Sequence, residues 1–140
     1  MEDQRVTYLQ MIAETISRMS TTSAIFKGFA STIVAGVSAI AYREINFWVL
    51  TLSFLPVLAF AIMDVYHLRL ERKFRFLYEQ VRTGAHEVDF SMELTKNPLE
   101  IISAKARVWD CIQSPSIYLF YPMMIAILAI VVILKMKGAI

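Results

Sequence analysis

Cysteine, histidine and glycine are all scarce in this chain of 140 residues, and each scarcity narrows what the protein can do. Cys111 is the one cysteine, so no internal disulfide can form, and a lone thiol beside an apolar surface reads as a small hydrophobic filler. His67 and His86 are the two histidines. The nearest approach to a metal constellation is Asp64, His67 and Glu71, which at i, i+3 and i+7 share one helical face. A polar stripe at the end of a membrane span has the same spacing, so neither a metal nor any other cofactor is expected. With four glycines there is no Gly-rich phosphate loop, and no nucleophile stands beside a base. An enzyme is not expected. Charged residues make up 19% of the chain and the net charge is +2, too little to argue for a nucleic-acid partner. The opening Met1-Glu2-Asp3-Gln4-Arg5 carries acids where a secretory signal carries basic residues, and no cleaved signal is expected.

Long apolar runs are abundant. Gly28 to Tyr42, Ile45 to Met63 and Ile117 to Leu134 contain no charge, 57% of residues are hydrophobic, and the mean hydropathy is +0.54. A span needs roughly 20 apolar residues at 1.5 Å each. The reading is an all-α integral membrane protein with three transmembrane helices, over 24–42, 45–63 and 115–135, plus amphipathic cytoplasmic helices. Lys27 falls at the start of the first span, where its stem can snorkel to the headgroups. Pro56 and Pro122 should bend the second and third spans. Tyr42 and Trp48 flank the short turn between the first two, as aromatic anchors. Only Arg43, Lys135 and Lys137 of the 14 basic residues lie on one face of that topology. The positive-inside rule therefore places the N-terminus and the central segment in the cytoplasm and the C-terminus outside.

Outside the spans, Leu9, Ile12, Ile16 and Met19 repeat at helical intervals, giving an amphipathic helix over 1–22. The Ser20-Thr21-Thr22-Ser23 cluster offers N-caps, so a break and a fresh start near Ser23 are expected. A cytoplasmic helix over 64–83 continues the second span. Its apolar face is Tyr66, Leu70, Phe74, Leu77, Tyr78 and Val81, and Arg69, Arg72, Lys73 and Arg75 crowd the other side as candidates for contact with lipid or with a cytoplasmic signal. Gly84 is a natural stop. Over 88–95 the period changes to two. Val88, Phe90, Met92 and Leu94 alternate with polar residues, as a clamp laid extended in a helical groove or as a strand paired with another subunit. Asn97 and Pro98 open a helix over 98–113.

Gly28, Thr32 and Gly36 form a stripe of small residues on the first span. It serves either to pack that span on the second or to bring copies of the chain together. No charge falls at the middle of a span, so a pore would be lined by hydroxyls such as those of Ser31, Thr32, Ser38, Thr51 and Ser53.

The order of these parts resembles SLATT-type domains. The likeness covers about residues 9 to 95. It is carried by Ile16-Ser17-Arg18-Met19, by Phe26-Lys27-Gly28, and above all by the run from Met63-Asp64-Val65-Tyr66-His67 through Glu71-Arg72-Lys73-Phe74-Arg75-Phe76-Leu77-Tyr78. The third span departs from the two-span pattern. SLATT-type domains are small membrane effectors of bacterial conflict systems. The resemblance implies an inner-membrane homo-oligomer that forms a pore or disrupts the bilayer in antiphage defence, when triggered by a cytoplasmic sensor protein or nucleotide signal. The alternative is a non-conducting anchor that recruits a soluble partner.

Overall fold

A computed structural model describes residues 2–41, 43, 46–94 and 96–138. Tyr42, Glu44 and Ile45 of the expected turn, and Thr95 at the end of the period-two segment, lie outside them. Among the described residues the chain is all-helical, with no strand: α1 (Glu2–Ile40), α2 (Phe47–Leu52), α3 (Phe54–Thr83), α4 (Pro98–Ser103), α5 (Val108–Ile112), α6 (Pro115–Tyr118) and α7 (Phe120–Met136). Two stretches, Glu2–Ile40 and Phe47–Thr83, are long and apolar enough to cross a membrane, and little of their apolar windows is buried.

Helix α1 runs through the Ser/Thr cluster where a break was expected. Thr21 and Thr22 turn their hydroxyls back onto the carbonyls of Ser17 and Arg18, at 3.0 and 2.9 Å, within the same helix. A hydroxyl engaged in this way leaves the helix intact and cannot cap a new one.

The prolines act one turn before their own positions. Proline cannot donate to the carbonyl four residues back, and its ring crowds that carbonyl. Pro56 faces Leu52, where α2 ends, and Pro122 faces Tyr118, where α6 ends. Leu119 separates α6 from α7.

The chain divides into two compact units, one of Met1–Ser23 with Val65–Ile112 and one of Ala24–Asp64 with Gln113–Ile140. In the first, Tyr8 and Ile12 of α1 are buried against Phe74, Leu77 and Val81 of α3, with Leu9, Ile16 and Met19 packed beside them. The helical repeats seen in the sequence therefore face each other. Arg5 fixes the pairing by donating to the carbonyls of Val81 and Arg82, each at 2.9 Å.

In the second unit, Phe26 and Phe29 both meet Phe60, with ring centroids 6.0 Å apart, so α1 packs on α3; Arg5 meeting Val81 while Lys27 meets Asp64 makes the two helices an antiparallel hairpin. Helix α7 lies alongside. Tyr121, near its start, donates to the carbonyl of Phe60 at 3.3 Å, and Lys135, near its end, donates to the carbonyls of Ala41 and Arg43 at 3.0 and 2.8 Å.

Candidate functional site

Asp64 is the most heavily constrained polar side chain of the second unit. It is completely buried, and Lys27 approaches its carboxylate at 2.5 Å while the Tyr121 hydroxyl donates to the same oxygen at 3.1 Å. Lys27 keeps only 18% of its side chain exposed. The ammonium is therefore held between helices rather than snorkelled to the surface as the sequence suggested, because a buried carboxylate supplies what the headgroups would. Lys27, Asp64 and Tyr121 come from three different helices, α1, α3 and α7, so one buried carboxylate ties all three together. Sequence reading placed Lys27 and Asp64 at the ends of separate runs and did not pair them. The usable signal was their opposite charge at the same end of an antiparallel hairpin.

On the other side of α1, Gly28, Thr32 and Gly36 are exposed, and a Cβ added at either glycine would meet nothing within 4 Å. The face that α1 turns to its own chain carries Ala30 and Val34 instead. The small-residue stripe is thus left open by the chain's own helices. The hydroxyls of Thr32, Ser38, Thr51 and Ser53 each donate to a carbonyl of their own helical stretch, those of Gly28, Val34, Phe47 and Leu50.

In the first unit the four basic candidates separate. Arg69 Nε donates to the carbonyl of Ala106 at 3.0 Å, and one Arg72 nitrogen donates to those of Lys105 and Asp110 at 2.7 and 3.0 Å. Both guanidinium groups thereby fix the turn between α4 and α5. Arg75 is largely exposed and pairs with the nearly buried Glu71 at 2.8 Å. Glu71 and Asp64, which share a helical stripe with His67, are each engaged by a cation. Among the described residues no group of three or more His, Cys, Asp and Glu side chains is placed to hold a metal. Lys73 lines an open cleft of about 580 Å³ with Gln80, His86, Asp89, Glu93 and Lys96. Burial, aided by the Arg69 charge, lowers its ammonium below the usual lysine range.

Among its described residues, 88–94, the period-two segment forms neither helix nor strand within the chain. Val88, Met92 and Leu94 pack onto the Tyr8 core, while Phe90 adopts a left-handed conformation, φ 55°, and sets its ring 5.4 Å from that of Tyr8. Tyr8 donates to the carbonyl of Ser91, and burial, with the Asp89 carboxylate nearby, raises its hydroxyl above the ordinary tyrosine range. Asp89 in turn accepts from the Ser91 N–H at 2.9 Å, which holds its carboxyl below the usual aspartate range. Cys111, on α5, is buried, and that burial pushes its thiol upward.

These units define a helical protein in which two helices are long and apolar enough to cross a membrane. Comparisons of the chain with protein-family models, with curated proteins and with solved structures find no match.

Proposed function

We propose that the protein is a membrane effector of the bacterial inner membrane. It crosses three times, assembles with copies of itself through Gly28, Thr32 and Gly36, and permeabilises the bilayer when a cytoplasmic partner or signal acts on the first unit. The observation that supports assembly is the open face of α1, since lipid tails give no hydrophobic reason to gather helices and close backbone approach is what small residues permit. A third crossing by α7 is supported by its two ends. Tyr121 meets Phe60 and Asp64, and Lys135 meets the end of α1, so α7 extends along the length of the hairpin. The excess of basic residues on the N-terminal and central segments supports a cytoplasmic placement for both. Arg75, with Lys73, remains the accessible part of the basic cluster for a lipid headgroup or a signal.

Gly36→Leu tests assembly. A Cβ at Gly36 meets nothing of the chain within 4 Å, so the variant should insert at normal abundance while its cross-linked oligomers disappear and expressing cells stop losing membrane integrity. Oligomers unchanged in size and yield would defeat the proposal.

A non-conducting anchor is the second reading. It is favoured by the span hydroxyls that are bonded to their own helices, which leaves few polar groups to line a pore. Dye release from vesicles carrying the purified protein separates the two, because an anchor releases none.

A further inference from the structure

Two short helices in the first unit expose an unusual amount of apolar surface. On α4, Leu99 and Ile102 lie one turn apart and are open, Leu99 being 74% exposed. On α5, Val108, Trp109 and Ile112 share one face, and Trp109 is 66% exposed. Lys96, Lys105 and Arg107 of the same segment are exposed, while its two acids, Glu100 and Asp110, are half-buried. An apolar phase would bury this surface favourably, and anions beside that phase would suit the exposed cations.

Chain connectivity says which phase is close. Ile112 is three residues before Pro115, the first residue of α6, so at no more than about 3.6 Å per residue the α5 face cannot stray far from the segment that leads into α7. The α4–α5 turn is also held in shape from within, by Arg69 and Arg72 on the carbonyls of Lys105, Ala106 and Asp110. A face of tryptophan and aliphatic side chains bordered by lysine and arginine has the make-up of an interfacial segment, with rings and alkyl groups at the acyl boundary and cations at the phosphates.

We propose that residues 96–112 form a docking face for anionic lipid. Leu99, Ile102, Val108, Trp109 and Ile112 enter the upper acyl region, and Lys96, Lys105 and Arg107 meet headgroup phosphates. The inference rests on the membrane reading above and adds a lipid class and a site to it.

The two tryptophans provide the test, since Trp48→Phe leaves Trp109 as the sole indole and Trp109→Phe leaves Trp48. Each variant of the full chain is reconstituted in phosphatidylcholine vesicles, with or without phosphatidylglycerol, whose acyl chains are brominated near the headgroup or near the chain end. Trp109 emission should be quenched more by the shallow bromines, and phosphatidylglycerol should deepen that quenching. Lys105→Glu with Arg107→Glu should abolish the phosphatidylglycerol effect on Trp109 while the quenching of Trp48 in the same background stays as it was. A Trp109 that no lipid quenches, beside a quenched Trp48, overturns the docking face and leaves the membrane reading standing. A blue-shifted, unquenched Trp109 whose emission moves red on dilution into excess lipid would assign the face to a second copy instead. Quenching of neither indole defeats both readings. Trp109 quenching that ignores phosphatidylglycerol and the double Glu change overturns the anionic assignment.

Discussion

Asp64 and Lys27 carry the largest electrostatic stake of any two residues here, because the carboxylate has no exposed surface and the ammonium has little. Such a pair attracts strongly in a low-dielectric interior, yet bringing both charges there cancels most of the gain. The asymmetry lies in what remains when one partner is removed. Lys27→Met removes the cation from a fully buried carboxylate, and should cost about 3 kcal/mol. Asp64→Leu should cost less, since the long Lys27 stem already reaches partial exposure and can carry its charge outward. The double variant, apolar at both positions, should recover most of the loss. Thermal unfolding in detergent, followed across the four proteins of the cycle, checks the order. Additive losses would show that the two side chains are not coupled.

At the scale of elements, two helices end in the same way with different residues. Beyond α3, the Ala85 N–H bonds to the carbonyl of Gln80 and the Gly84 N–H to that of Val81, with Gly84 left-handed at φ 79°. Beyond α4, the Ala106 N–H bonds to Ile101 and the Lys105 N–H to Ile102, with Lys105 left-handed at φ 49°. Both are Schellman endings, and only the first has the residue that adopts this conformation freely. Lys105→Gly should therefore stabilise the first unit by about 1 kcal/mol, whereas Gly84→Ala should destabilise it by a similar amount. The Gly84 change also sets a Cβ 3.1 Å from the Arg5 guanidinium. Midpoints of chemical unfolding for the two variants, moving in opposite directions, are the measurement.

The endings also mark what was legible in the chain. Gly84 announced its stop by residue type, and the apolar repeats of α1 and α3 announced their shared core. The Lys105 ending carried no such mark. Nor did the role of Arg5, whose hydrogen bonds to Val81 and Arg82 join positions far apart in sequence. Helix continuity through Thr21 and Thr22 was misjudged because hydroxyls favour caps and helix interiors by the same hydrogen-bonding ability, and neighbouring structure decides between them. The basic cluster was legible as a charge pattern, but the turn that takes up Arg69 and Arg72 lies over thirty residues further on.

For the whole molecule, the proposal of three crossings makes a simple topological claim. A reporter fused at residue 85 should behave as cytoplasmic, and one fused after residue 140 as external, in paired phosphatase and fluorescent fusions. A cytoplasmic signal from both would reduce the crossings to two and turn α7 back into its own leaflet. The join between the first two crossings bears on how such a protein is made. Lys27 entering a bilayer alone would carry an uncompensated charge costing a few kcal/mol, and Asp64 would do the same later in synthesis. Paired, they present the lipid with a neutral contact. Under the proposed topology, release of the two helices together, as a preformed hairpin, is therefore favoured over release one at a time.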